Sequence, residues 1–248
     1  MIHSFLLIGQ SNMAGRGFVD EVEPISDPNL KVLRNGRWQK MYVPVNNDRV
    51  FSGVSLAESF ALEYQRSHNV EVGLIPCADG GTCLDQWRVG GLLYDHAVMM
   101  SKLAQRTSTI AGVLWHQGES DCKEHFHPYY KEKFLKIMNS LRNDLDLYDV
   151  PFILGGLGSF LVKVRPDLGN YPIINKALME IAETNPMTGF VSAEGLTSNP
   201  DNLHFNSKSL REFGIRYYKE FEKLEDKNKV FLEKSDVDSA IRSEMELL

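Results

Sequence analysis

The chain has 248 residues, of which 43% are hydrophobic and 24% are charged, and its formal net charge is −6. These values are typical of a globular domain, and the negative charge argues against nucleic acid or an anionic membrane as the main partner. No apolar run is long enough to cross a bilayer, no signal peptide is visible, and an odd set of cysteines (Cys77, Cys83 and Cys122) argues against a disulfide framework. We therefore expect a cytoplasmic protein with reduced thiols.

Predicted strands and helices alternate along most of the chain. Apolar runs predict five strands, at residues 5–8, 70–75, 110–115, 151–154 and 189–193. Apolar residues at helical spacing predict helices near 55–66, 92–103, 129–145, 173–182 and 210–224. Short strands separated by helices predict an α/β fold with a parallel five-stranded sheet and right-handed crossovers.

Two segments fall outside this alternation. Residues 15–51 form a long polar stretch rich in turn residues, with a small hairpin expected around Asn35-Gly36. Because this stretch follows the first strand, we expect it to form a wall of any site located there. The charged residues 226–248 are expected to be a tail beyond the domain 1–225, with Ser235 capping a short packed helix.

Ser11 is the first candidate for chemistry. It lies in the run Gly9-Gln10-Ser11-Asn12-Met13 at the carboxyl end of the first strand, where open α/β sheets hold their ligand crevice. A serine at this junction is also a common helix N-cap, which leaves a purely structural role open. The run contains the first half of a nucleophile elbow, but Met13 replaces the second glycine, so it is not the α/β-hydrolase elbow.

The run Asp201-Asn202-Leu203-His204 contains an acid and an imidazole three residues apart. On a helical turn that begins at Pro200, the two side chains would be neighbours. The carboxylate would then fix the imidazole tautomer and leave the other ring nitrogen free to accept a proton from Ser11. The alternative is that Asp201 only complements a helix N-terminus and that His204 is a surface residue.

Two further loops follow strands at the same edge of the predicted sheet. One runs from Trp115 to Asp121 and contains Gln117, which can donate to a developing oxyanion, and Glu119, a second carboxylate. The other contains Gly80 and Gly81, whose small size lets a backbone amide approach a substrate oxygen closely. Each signal is weak alone, but their shared edge favours ester hydrolysis by a serine nucleophile.

Taken in chain order, the four blocks 9–13, 80–82, 115–121 and 201–204 resemble the sialate O-acetylesterase and acetylxylan esterase group of the SGNH (GDSL-like) hydrolases, over residues 2–220. The resemblance implies a flavodoxin-like three-layer α/β/α sandwich that removes O-acetyl groups from a small carbohydrate, such as sialic acid or a xylan-type sugar, without metal or cofactor. By analogy, the nucleophile, base and orienting acid are Ser11, His204 and Asp201, and the oxyanion hole is formed by Ser11, Gly80 or Gly81, and Gln117. Glu119 is the alternative acid, and Glu119, Gln10 and Asn12 are alternative substrate contacts.

Three rival readings stay open at the level of sequence. A metal hydrolase would use a dense set of potential ligands, although their spacing matches no standard site: His116, Glu119, Asp121, Cys122, His125 and His127. A non-catalytic carbohydrate-binding module would use Trp38, Trp87 and Trp115 to stack sugars, unless these rings fill the core. The third reading keeps the triad but gives it a lipid or thioester substrate.

Overall fold

The computed structural model describes residues 1–245, and the side chains of its last helix to Asp226 and again at Arg242 and Met245. The strands are β1 (Ile2–Gly9), β2 (Leu30–Arg34), β3 (Arg37–Lys40), β4 (Glu71–Pro76), β5 (Ser108–His116), β6 (Phe152–Gly155) and β7 (Thr188–Val191). The α-helices are α1 (Ser11–Ala14), α2 (Ala57–His68), α3 (Leu92–Ala104), α4 (Tyr130–Leu145), α5 (Tyr171–Thr184) and α6 (Ser207–Met245). Each of the five predicted strands and the five predicted helices between residues 55 and 224 overlaps an observed one.

The sheet has seven strands, so the expected count of five is wrong. Its order is β3-β2-β4-β1-β5-β6-β7, and every neighbouring pair is parallel except β2 and β3. The two additional strands are the hairpin around Asn35 and Gly36, both of which have the positive φ that a tight hairpin turn requires. The sequence predicted the hairpin but not that β2 would pair with β4 and extend the sheet.

The five central parallel strands follow the flavodoxin-like order. Numbered along the chain among themselves, β4-β1-β5-β6-β7 read 2-1-3-4-5. The strand order reverses between β1 and β5, and in such sheets the crevice outside the carboxyl ends at this point is where ligands bind. Ser11 follows β1, so it lies beside this crevice.

Aromatic side chains fix the helices to the two faces of the sheet. On one face, Phe5 of β1 packs edge-on against Phe60 of α2 and Phe221 of α6. On the other face, Trp115 of β5 packs against Phe134 of α4 and against Trp87, which lies between β4 and α3. Helices α2 and α6 contact each other, and α3, α4 and α5 form a second group, which gives a three-layer α/β/α sandwich. All of these rings are buried, and each stabilises the fold by about 1.5–3 kcal/mol.

The C-terminal part differs from the expectation of a separate short helix. Helix α6 is continuous from Ser207 to Met245 and passes through Ser235 without interruption. The packing predicted for this tail depends on side chains that lie outside the described residues, as do residues 246–248. Within residues 1–245, no helix is both long enough and apolar enough to span a bilayer.

Candidate active site

A close approach between β1 and β5 sets the position of Ser11. Gly9 has a φ of 130°, and a Cβ at this position would overlap the carbonyl of His116 on β5. Only glycine permits this backbone conformation and this contact. The chain then turns into the single-turn helix α1, whose first residue is Ser11. The backbone N–H of Ser11 consequently has no intrahelical carbonyl to donate to, and its side chain faces the crevice.

The turn between β7 and α6 carries Asp201 and His204, and it is not the helical turn that the sequence suggested. Asn202 has a φ of 53°, and α6 begins only at Ser207. One carboxylate oxygen of Asp201, Oδ1, accepts the backbone N–H groups of Leu203 (2.9 Å) and His204 (3.0 Å). Short polar side chains that bond to the local backbone in this way compete with helix formation and favour turns.

The structure brings the serine, the imidazole and the acid into one chain of hydrogen bonds. His204 Nε2 lies 3.0 Å from Ser11 Oγ, and His204 Nδ1 lies 2.6 Å from Asp201 Oδ2. Burial works to raise the pKa of Asp201, but the hydrogen bonds it accepts from His204 and Leu203 hold it below its usual value. The ionised carboxylate keeps the proton on Nδ1, so Nε2 presents a lone pair to the hydroxyl.

Glu119, the alternative acid, contacts a different residue. Its Oε1 accepts a hydrogen bond from Asn12 Nδ2 and lies 3.5 Å from His116 Nε2, and both Glu119 and His116 are buried. Burial works to raise the pKa of Glu119, but the hydrogen bond and charge of His116 and the hydrogen bond from Asn12 hold it below its usual value. Glu119 therefore bonds to Asn12, whereas Asp201 bonds to His204.

Asn12 connects the two ends of the chain at this site. Its Oδ1 accepts the backbone N–H of Phe205 at 3.0 Å, and its Nδ2 donates to the carbonyl of Leu203 at 3.3 Å. These two residues flank His204. Asn12 thus clamps the segment that carries the imidazole onto the helix that carries Ser11, while Glu119 holds the Asn12 amide in place. The sequence had proposed Asn12 only as a substrate contact.

Asp48, which sequence reasoning did not single out, supports the glycine turn. Its carboxylate accepts the backbone N–H of Gly80 at 2.8 Å and forms a 2.6 Å ion pair with Arg16, and both of these side chains are buried. Burial works to raise the pKa of Asp48, but the hydrogen bond and charge of Arg16 lower it overall. Because the amide of Gly80 is already bonded, Gly81, with a φ of 80° and open space around it, is the better candidate to donate to a substrate.

Gln117 does not line the catalytic crevice. It is fully buried, and its Nε2 donates to the carbonyl of Thr82 and to the carboxylate of Asp121, so both of its amide hydrogens are engaged. In this structure Gln117 therefore has no free amide hydrogen to donate to an oxyanion. Gln10 lines the crevice instead: its Oε1 accepts the backbone N–H groups of Gly118 and Ser120, which leaves its amide nitrogen as the donor.

A cavity of about 380 Å³, which we call the first cavity, opens above Ser11 and His204. Gly80, Gly81 and Gln10 also line it. Arg16, Arg49 and Phe51 come from the long polar stretch and its end, so that stretch does contribute a wall, as expected. Arg165 also lines the cavity and is paired with Asp167 through Nε. Sequence spacing carries no signal for these arginines, because they reach the site from irregular loops.

The residues behind two of the rival readings have other roles in the fold. Asp121 bonds to Gln117 and to the backbone N–H of Leu84, and Cys122 Sγ bonds to the carbonyl of Gly118. Across the described residues, no three His, Cys, Asp or Glu side chains converge as a metal site would require. Trp87 and Trp115 are fully buried and pack on each other, so these two rings are part of the core and do not stack sugars.

Comparison with known proteins finds similarity to carbohydrate esterases. The sequence profile of a family described as "carbohydrate esterase, sialic acid-specific acetylesterase" matches residues 1–223. A protein of Arabidopsis thaliana named as a probable carbohydrate esterase is 30% identical over 238 residues, which cover 85% of this chain and 86% of that protein.

Solved structures extend the similarity to the fold. An X-ray structure of an Arabidopsis thaliana protein superposes with a TM-score of 0.80 at 27% identity and covers 89% of this chain and 98% of that one. The crystal structure of NanS superposes with a TM-score of 0.72 at 16% identity, covering 91% and 98% of the two chains. At that identity the second likeness supports the three-layer architecture alone.

Proposed function

The chain belongs to the carbohydrate esterase family of sialic acid-specific acetylesterases, and from that premise we propose that it removes O-acetyl groups from a carbohydrate through a covalent acetyl-serine. Membership of this family shows that the protein is a carboxylic ester hydrolase. The proposal adds the mechanism, the residues that carry it and the acetylated sugar as substrate. The observation that carries it is the hydrogen-bonded chain from Ser11 through His204 to Asp201.

The first step is attack of Ser11 Oγ on the acetyl carbonyl carbon. His204 Nε2, 3.0 Å away, accepts the hydroxyl proton as the new C–O bond forms. The imidazole becomes a cation, and the ionised carboxylate of Asp201 stabilises this charge through Nδ1–H without itself taking the proton. The π electrons of the carbonyl move to its oxygen, which becomes an oxyanion.

The oxyanion needs donors that already point at it before the reaction begins. The backbone N–H groups of Ser11 and Gly81 are two such donors, and we assign the third to Gln10 Nε2 in place of Gln117. Gln10 supports this role because two backbone N–H groups fix its carbonyl oxygen and thereby orient its amide. Losing one preorganised donor typically lowers turnover by about 10²–10³-fold.

The intermediate then collapses in the direction of the leaving sugar. The bond between the carbonyl carbon and the sugar oxygen breaks, and that oxygen takes the proton from His204 Nε2. Water enters, gives its proton to the same nitrogen and attacks the acetyl-serine. The bond between the carbonyl carbon and Ser11 Oγ then breaks, and Oγ takes the proton back from His204. Acetic acid leaves and loses its proton to solvent, so each turnover consumes one water and yields one alcohol, one acetate and one proton.

The test is hydrolysis of an O-acetylated sugar by the Ser11→Ala variant, with acetate release as the measurement. We expect turnover to fall by about 10⁴-fold or more, as for loss of a serine nucleophile in other triads. Ser120→Ala is a matched control, because Ser120 lines the same cavity outside the triad, and it should keep most of the activity. Retained turnover in Ser11→Ala would reject the mechanism, and mass spectrometry of the quenched wild type should find one acetyl group on Ser11.

A further inference from the structure

A second cavity of about 540 Å³ shares His204 with the first. The two cavities share Arg16, Phe51 and His204, but only the second includes Phe18, Val19 and Asp201. Ser11, Gly80 and Gly81 line the first cavity and not the second. The two cavities therefore adjoin at these shared residues, and only the first is lined by the nucleophile.

The walls of the second cavity are apolar and accessible. Phe18, Val19 and Phe51 are 48%, 54% and 65% exposed, which is unusual for three large apolar side chains around one depression. The two charged groups that line it are already paired, Arg16 with Asp48 and Asp201 with His204. This surface thus favours an apolar group over an ionic or strongly hydrated one.

The apolar wall is also held in place. The guanidinium carbon of Arg16 lies 5.2 Å from the centroid of the Phe51 ring, within the range of a cation–π contact. Arg16 is itself fixed by its buried ion pair with Asp48 and by its bond to the carbonyl of Gly15. Gly17, which also lines the cavity, forms a β-bridge with Val54. These contacts fix the position of Arg16, Phe51 and Gly17 in the wall.

We propose that the second cavity is a leaving-group subsite, which binds an apolar alkyl or aryl substituent, such as an aglycone, on the alcohol side of the ester. The inference rests on the proposed function. The carbonyl carbon has to lie at Ser11 Oγ, with its oxygen near the amides of Ser11 and Gly81, and this fixes the acetyl group in the first cavity. The alcohol oxygen has to lie at His204 Nε2, because it receives its proton there. From that point the substituent on this oxygen can extend past Arg16, Phe51 and His204, which line both cavities, into the second cavity.

The experiment compares two ester series under identical conditions. One series holds acetate constant and lengthens the primary alcohol from ethyl to butyl to hexyl, which leaves the intrinsic reactivity almost unchanged. The other holds ethanol constant and lengthens the acid from acetic to butyric to hexanoic. We expect kcat/KM to rise along the alcohol series by up to about fourfold per buried methylene, and not to rise along the acid series. A gain that follows the acid chain would overturn the proposal.

Variants assign the gain to the second cavity. Phe18→Ser and Val19→Ser should reduce the rise of kcat/KM with alcohol chain length. Hydrolysis of ethyl acetate should stay near the wild-type rate, since neither side chain lies at Ser11. Val89→Ser is the matched control: Val89 is 48% exposed and lines neither cavity, so its alcohol series should stay steep. A rise of kcat/KM with alcohol chain length in Phe18→Ser that equals the wild-type rise would reject the subsite.

A binding measurement separates failure of this inference from failure of the proposed function. If the wild type hydrolyses no acetate ester at all, the proposed function fails, whatever the second cavity binds. Hexyl β-glucoside contains no ester, and calorimetry should detect its binding to Ser11→Ala. Adding Phe18→Ser to that background should weaken the binding about tenfold or more, whereas adding Val89→Ser should leave it unchanged. Equal binding in all three proteins would overturn the subsite independently of catalysis.

Discussion

The imidazole of His204 lies 3.0 Å from the hydroxyl of Ser11, although the two residues are 193 positions apart in the chain. The contact arises because β1 and β7 belong to the same sheet and both lead at their carboxyl ends into the crevice. The Asn12 clamp then holds the two segments together, with the backbone of Phe205 bonded to the residue next to the nucleophile.

Asp201 is expected to orient the imidazole, so Asp201→Asn should lower kcat by about 10²–10⁴-fold. The amide can no longer fix the proton on Nδ1, and it gives less support to the imidazolium. Steady-state kinetics with an O-acetylated sugar test this loss. An Asp201→Asn enzyme with wild-type kcat would show that another group orients His204.

Asn12 is expected to act on catalysis through position, because it contacts the backbone on both sides of His204. Asn12→Asp keeps the acceptor for Phe205 N–H but sets a second carboxylate against Glu119. We expect kcat to fall by about 10–10²-fold with little change in KM.

The control for this prediction exchanges the donor and the acceptor. In the double variant Asn12→Asp with Glu119→Gln, the glutamine amide can donate to the new carboxylate, so part of the lost kcat should return. A double-mutant cycle measures that coupling. If the two changes are simply additive, Asn12 and Glu119 do not work as the unit described above.

The two glutamines should behave differently when changed. Gln10→Glu keeps the oxygen that accepts from Gly118 and Ser120 but replaces the donor, so kcat should fall by about 10²-fold or more while the thermal midpoint changes little. Gln117→Leu removes the partner of Thr82 and Asp121 inside the core and should cost about 1–3 kcal/mol of unfolding free energy. The opposite pattern would return the oxyanion role to Gln117.

Asp48 should make stability depend on pH. Its pKa in the folded protein is lowered, so its ionised form stabilises the fold at neutral pH, and this contribution is lost as pH falls from about 4 through the folded-state pKa. Asp48→Asn leaves Arg16 buried without its partner and should cost about 3–5 kcal/mol at pH 7. Urea unfolding should show that the difference in unfolding free energy between Asp48→Asn and the wild type becomes smaller at acid pH.

The control for Asp48 is an exposed ion pair. Glu132 pairs with Lys136 on the surface of α4, so Glu132→Gln should change the unfolding free energy far less. Asp48→Asn should also lower kcat, because Asp48 holds the amide of Gly80 beside the oxyanion site. An Asp48→Asn protein as stable as the wild type at pH 7 would contradict the role assigned to this pair.

The sequence by itself determined which segments form the parallel strands and which reactive residues follow them. Apolar runs that end in glycine or polar residues mark the carboxyl ends of β1, β4 and β5, and every parallel strand presents that end to the same edge. This was enough to predict that Ser11, Gly80 and His204 would gather at one crevice. The edge hairpin was predicted as local structure, but its pairing with β4 was not, because a tight turn carries no information about the strand beyond it.

Only the tertiary structure decided which side chains point at the reacting atoms. Alternation fixes the face of a residue inside a strand, but one residue beyond the strand end the direction depends on neighbouring loops. For that reason Gln117 is turned into the core by Thr82 and Asp121, while Gln10 lies at the crevice. The bonds from Asn12 to Phe205 and from Asp48 to Gly80 join segments distant in sequence, and such contacts exist only once the chain has folded.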